Sequence, residues 1–135
     1  MKFDTKIAIV VREDLPSWQK LDMTAFLASG IASAGDTIGA PYADGSGRHY
    51  RPMFRQPVMV LTGSAAPLRA AYDRAQARGL AMAIFTDPLF ATGHEEANRT
   101  AVAAVAADRM GIAGFAVHGP RSDVDRALEG LKLHP

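Results

Sequence analysis

The sequence predicts an α/β domain. Four short, near-continuous apolar runs of strand length alternate with stretches of helical periodicity, and Gly, Pro and Asp residues punctuate the joins. The first run, Lys6–Val11, holds Ile7, Ala8, Ile9, Val10 and Val11 in unbroken succession. Such a run suits a central strand covered on both faces. A helix is predicted over Ser17–Ala34, where Leu21, Ala25, Ala28 and Ala32 form a stripe expected to be buried. Phe26, Leu27 and Ile31 widen its apolar surface, so the helix is expected to pack on a second body as well as the sheet, with a homodimer interface as the candidate.

The segment Asp36–Pro57, rich in proline and glycine with scattered aromatics, reads as a long connection without regular structure. Gly45-Ser46-Gly47 within it follows no strand and opens no helix, so it reads as a turn and not as a phosphate loop. A second strand is predicted over Val58–Thr62. Ser64 is then the expected N-cap of a helix running to Arg78, and Gly79 its C′ residue. Leu80–Phe85 forms a third strand, stopped by Thr86-Asp87-Pro88. A helix over His94–Ala106, a fourth strand over Ile112–Val117 and a closing helix over Asp123–Glu129 complete the chain.

Residues 1–135 are read as one domain, long enough to bury a substantial core. The absence of cysteine excludes disulfides, thiol nucleophiles and thiolate metal sites, and it suits a cytoplasmic protein. No apolar run approaches the ~18 residues that span a bilayer, so no membrane partner is expected. The start MKFDTK lacks the apolar core of a signal peptide. A formal net charge of +1 counts against a dedicated RNA binder, whose affinity rests on phosphate neutralisation.

Several motifs resemble the type II peptidyl-tRNA hydrolase superfamily. They are the first strand followed by Arg12-Glu13-Asp14-Leu15, Gln56-Pro57 before the second strand, Ala77-Arg78-Gly79-Leu80 before the third strand with Asp87 at its end, and Gly119-Pro120 after the last strand. Closer still is an uncharacterised bacterial family attached to that superfamily, which the strings at Trp18–Asp22 and Phe90–Asn98 resemble. The resemblance implies a three-layer α/β/α domain with a four-stranded mixed sheet in the order 2-1-4-3, strand four antiparallel. On that arrangement Glu13, Asp14, Lys20, Asp87 and His94 come to one sheet edge, the usual ligand crevice of open α/β sheets. His118 falls on the opposite edge.

In the hydrolases a Lys and a His on the first helix work with an Asp after strand three and a Thr shortly beyond. The resemblance places Asp87 at the Asp, with Lys20 and Thr92 each about one residue from their positions. The His has no counterpart: no histidine precedes His49, and the helix reads Phe26-Leu27-Ala28-Ser29. Asp87 is thus the candidate for orienting or activating a nucleophile. Lys20 is the candidate for stabilising negative charge.

Thr92-Gly93-His94-Glu95 also matches a capping box, which accounts for Thr92 and Glu95 without chemistry. His94 at a helix N-terminus is expected to be a neutral imidazole able to accept a proton. Asn98, not histidine, follows four residues later, so the paired-histidine zinc pattern fails and neither metal nor cofactor is expected. Trp18, His49 and Arg51 read as packing or solvated residues.

Three functions follow. One is hydrolysis of a small ester, amide or acylated substrate at an altered site formed by Asp87, Lys20, His94 and Thr92. The second is a non-catalytic module that binds a small molecule or serves as a dimeric interaction domain. The third is peptidyl-tRNA hydrolysis, which needs a basic surface from Arg12, Arg48, Arg51 and Arg55 beside Lys20.

Overall fold

The fold is that of a computed structural model, in which residues 2–33 and 35–135 are described. Strand β1 (Thr5–Arg12) leads into helix α1 (Ser17–Ala32). The predicted extension of that helix to Ala34 lies outside the described residues. A short hairpin follows, β2 (Tyr42–Ala43) and β3 (His49–Tyr50), then β4 (Val58–Gly63) and α2 (Ala65–Ala77). Next come β5 (Ala81–Thr86), a 3-10 turn over Asp87–Ala91, and α3 (Glu95–Ala103). The chain closes with β6 (Ile112–Pro120), α4 (Arg121–Ala127) and β7 (Lys132–Leu133).

The main sheet is mixed and has five strands, in the order β5-β6-β1-β4-β7. β1 and β4 are parallel, and β6 runs antiparallel to both β1 and β5. The expectation of four strands is therefore corrected. Gly130, at φ 89°, turns the chain back after α4, and Leu61↔Leu133 and Thr62↔Lys132 add β7 to the edge of β4. Gly63 makes room for this return, because a Cβ there would stand 2.6 Å from Leu131 Cδ2.

Alternation along β1 builds two apolar layers. Ile7, Ile9 and Val11 join Met23, Leu27 and Ile31 of α1 on one face, while Ala8 and Val10 join Leu68, Ala71, Tyr72, Val124 and Ala127 of α2 and α4 on the other. A register shift opposite Phe85 and Thr86 skips Ala113 in β6. The bulge explains why Ile112, Phe115 and Val117 share the α2 layer while Ala113 and Ala116 share the α1 layer. α1 lies close over this bulge: a Cβ on Gly114 would stand 2.5 Å from Val10 O and 2.7 Å from Met23 Sδ.

α2 ends as its sequence dictates. Gly79 takes φ 66°, its N–H bonds Gln76 O at 3.0 Å, and the Leu80 N–H bonds Ala75 O at 3.3 Å, the Schellman pattern. Ser64 holds the N-cap position without a side-chain cap bond.

Three further expectations are corrected. The buried stripe of α1 is Met23, Leu27 and Ile31, whereas Leu21 and Ala25 are exposed. Larger aliphatic side chains cover more of the sheet, and Gly30 lets the helix approach Ala83 where a Cβ would be 2.7 Å away. The segment 36–57 is not structureless, since it holds the β2–β3 hairpin. Gly45-Ser46-Gly47 is that hairpin's turn, with the Asp44 carboxylate accepting the Ser46 and Arg48 N–H groups at 2.9 and 3.0 Å. Finally, α3 starts one residue later than predicted and ends at Ala103, before a separate 3-10 turn over Ala107–Arg109.

Candidate functional site

Two depressions lie at the carboxyl end of β5, one on each side of the 3-10 turn that follows it. The first is a groove of about 630 Å³ against α2. Arg12, the last residue of β1, crosses the start of β6 to reach Asp87. Its Nη1 donates to Ile112 O at 3.0 Å, and its Nη1 and Nη2 donate to Asp87 Oδ2 and Oδ1 at 3.2 and 2.9 Å. Its Nε donates to Asp14 at 2.7 Å. Gly111 is what lets the pair close: a Cβ there would stand 2.5 Å from Asp87 Oδ2. The hydrogen bond to Asp87 raises the Arg12 pKa, burial opposes it, and Asp14 adds to the rise.

The groove's other charges also come in opposite signs. Arg69, Asp73, Asp108 and Arg109 line it, and Arg69 Nε pairs with Asp73 at 3.2 Å. An Asp87 with both oxygens accepting from one guanidinium is suited to tying β1, β6 and β5 together. Arg12 takes one acceptor site on each oxygen, and the Asp87 side chain stays 45% exposed.

The second depression, about 490 Å³, opens between α1, the 3-10 turn and the start of α3. Three phenylalanines form its apolar wall. Phe85 and Phe90 have ring centroids 4.8 Å apart, tilted by 51°, and Phe26 and Phe85 lie 5.9 Å apart, tilted by 50°. Trp18 meets the edge of Phe90 at 6.2 Å. The polar rim comes from Asp22 and Ser29 of α1 and from Thr92, His94, Glu95 and Asn98. No lysine or arginine lines the pocket. Glu95 pairs with Arg99, whereas Asp22 makes no ion pair among the described residues.

The sequence candidates are thus divided among three places. Asp87 lies in the groove. Thr92 and His94 line the aromatic pocket. Lys20 lies in neither, because its ammonium sits 3.2 Å from His134 Nε2 beside β7. The expected cluster of Lys20 with Asp87 is therefore not assembled: on α1, Lys20 is set round the helix from the flank that faces β5.

The expected capping box is also replaced. His94 is the N-cap of α3, its Nδ1 accepting the Ala97 N–H at 3.2 Å, which places the ring proton on Nε2. The Thr92 hydroxyl instead donates to Leu89 O at 3.0 Å and lies against the Asn98 amide. His118, paired across β1 with Ile7, is at the far edge of the sheet. Of the arginines that a tRNA-binding surface would need, Arg48 and Arg51 belong to the exposed hairpin segment, Arg55 pairs with Asp36 and Arg12 with Asp87.

Sequence reasoning missed two groups. Arg12 was legible only as a basic residue at a strand end; its role depends on the strand order that puts Ile112 between it and Asp87. The phenylalanine wall was invisible because Phe26 stands far in the chain from Phe85 and Phe90. No group of three or more His, Asp or Glu residues among those described is placed to hold a metal ion.

No curated protein matches the sequence. The chain is similar over 99% of its length to the structure of a protein of unknown function from Agrobacterium tumefaciens strain C58, at 41% identity, with a TM-score of 0.95 and all of that chain covered. A family model described as "Protein of unknown function (DUF2000)" matches residues 5–135. The chain belongs to the DUF2000 family.

Proposed function

We propose that this protein is a non-catalytic binding module for a small organic cation, held in the aromatic pocket. The observation that carries this reading is the pocket's composition. Phe26 and Phe90, packed on the buried Phe85, line the pocket together with Asp22, which makes no ion pair among the described residues, and with Glu95, and no lysine or arginine stands on the wall. Ring faces and a carboxylate both attract a positive charge, and the ring contribution grows as water is excluded. The polar atoms of Thr92, His94 and Asn98 add orientation to an otherwise apolar wall, the usual construction of a small-ligand pocket.

The fold reading that accompanies it is the type II peptidyl-tRNA hydrolase one. In its support, β4, β1, β6 and β5 lie side by side in that order with β6 reversed, as the resemblance implies, and β7 is an addition at the edge. A retained fold does not require retained chemistry. The separation of Lys20 from Asp87 and the commitment of Asp87 to Arg12 favour binding over hydrolysis. The cysteine-free composition fits a cytoplasmic setting.

Calorimetry with choline and with its neutral isostere 3,3-dimethylbutan-1-ol tests the proposal. Choline is expected to bind at least about tenfold tighter, and Phe26→Ala or Asp22→Asn to weaken it roughly three- to tenfold. Equal binding of the two, or none of either at millimolar concentration, would overturn the cation reading. Hydrolysis of an N-blocked aminoacyl-tRNA that disappears in Asp87→Ala would overturn the non-catalytic one.

A further inference from the structure

Thr86, the last residue of β5, is 3% exposed, yet its hydroxyl has no hydrogen-bond partner among the described residues. It stands at the N-cap position of the 3-10 turn Asp87–Ala91, where a threonine oxygen ordinarily accepts a backbone N–H, and it makes no such bond. A hydroxyl buried in this way has given up its hydration and gained nothing in exchange.

A cavity of about 180 Å³ lies against this residue, where the chain leaves the sheet and returns to it. Pro88 carries the chain off β5, Val102 of α3 and then Val105 form the opposite wall, and Arg109, Met110 and Gly111 close it on the way into β6. The returning segment is held twice. Arg69 Nη2 on α2 donates to Ala107 O at 2.9 Å, and the Asp87 N–H bonds Gly111 O at 2.9 Å. The cavity is thus built by the fold itself, as small-molecule sites usually are. Of its lining residues Thr86 alone is buried, which puts it at the floor, while Arg109 is exposed and stands at the mouth. The cavity shares no residue with the aromatic pocket.

The wall between floor and mouth is apolar, and Arg109 is the one charged side chain on it. Arg109 makes no ion pair among the described residues. In the adjoining groove Asp87 is paired with Arg12 and Asp73 with Arg69, and Asp108 lines the groove but not the cavity. A buried water needs about two to four polar partners, and the apolar side chains around Thr86 supply none. An apolar cavity of ~150 Å³ accepts a benzene ring, so the space here suits one ring with small substituents. A ring that carries a hydroxyl at one end and a carboxylate at the other meets all three features. Its hydroxyl partners Thr86, its body fills the apolar middle, and its carboxylate takes the guanidinium at the mouth. The charge it needs is opposite to that of a ligand for the aromatic pocket.

We propose that this cavity is a second binding site, for a small hydroxy-substituted aromatic acid whose hydroxyl bonds Thr86 and whose carboxylate pairs with Arg109. Calorimetry on the full chain with 4-hydroxybenzoate, benzoate and 4-hydroxybenzamide tests it. 4-Hydroxybenzoate is expected to bind at least about tenfold tighter than benzoate, which lacks the hydroxyl, and than the amide, which lacks the charge. Thr86→Val keeps the shape of the side chain and is expected to erase the preference over benzoate while keeping the preference over the amide. Arg109→Gln is expected to do the reverse. Thermal unfolding of Thr86→Val gives a readout independent of any ligand: Tm is expected to hold or rise, because an unpartnered hydroxyl contributes nothing to the free protein. A lower Tm would mean that the hydroxyl is bonded within the fold, and would overturn the proposal. So would no binding of 4-hydroxybenzoate at millimolar concentration, equal binding of the three compounds, or preferences that either variant leaves unchanged.

Discussion

Replacing Asp87 by alanine separates a structural role for this carboxylate from a catalytic one. The change removes both acceptors from Arg12, whose side chain is 14% exposed, while Asp87 itself is 45% exposed. Breaking a fully buried pair costs about 3–5 kcal/mol and an exposed pair contributes about 0–1. Arg12 keeps Ile112 O and Asp14 as partners, and solvent screens Asp87. An intermediate loss of about 1.5–2 kcal/mol is therefore expected, equivalent to a fall of roughly 5–7 °C in Tm for a chain of this length. Urea unfolding of the wild type, Asp87→Ala, Arg12→Met and the double variant measures the coupling, expected near 1–1.5 kcal/mol. A coupling below about 0.3 kcal/mol would refute the tie between the strand ends.

Other outcomes follow from the same geometry. Gly114→Ala places a methyl against Val10 O and Met23 Sδ and is expected to cost about 2–3 kcal/mol in urea unfolding, whereas Gly45→Ala, with open space around it, should be near neutral. Leu27→Ala is expected to cost about 3 kcal/mol and Leu21→Ala less than ~0.5, measured where the chain is monomeric; equal losses would contradict the assigned helix phase. The backbone N–H of Arg48, then the Tyr50 hydroxyl and the Ser46 N–H, hold the Asp44 carboxyl below the usual carboxylate range. A depressed native pKa means that the turn's stabilisation is complete above the unfolded value and is lost as pH falls through the native one. The Ser46 and Arg48 amide resonances should therefore titrate below the ordinary aspartate midpoint, and a midpoint at or above it would contradict the hydrogen-bonded turn.

The long elements were legible because their signals are long. Five consecutive apolar residues in β1 admit little but a strand covered on both faces, and Gly79 can hardly be other than a left-handed helix end. The elements that were missed are two residues long. β2, β3 and β7 have no period to read, and each exists because a turn elsewhere returns the chain to a partner. Helix phase failed for a different reason. Both stripes of α1 satisfy helical spacing, and the choice between them rests on side-chain volume and on the close approach of Gly30 to Ala83. That error carried Lys20 with it, since its direction follows from the phase. His94 was misread because a ring nitrogen does here what a serine or aspartate oxygen does at most helix starts.

The 3-10 turn Asp87–Ala91 joins these threads. Its first residue is fixed by Arg12 on one side of the sheet edge, and Leu89 and Phe90 form part of the pocket wall on the other. Thr92, just beyond the turn, donates to Leu89 O and lies against Asn98 of α3. A carboxylate that holds one end of a five-residue turn sets where the ring three residues later stands, because a turn this short and this bonded has few other conformations. Asp87 is therefore placed to act on the pocket through the position of this turn. The residue that sequence singles out for chemistry is, in this structure, the anchor of a turn that carries part of the pocket wall.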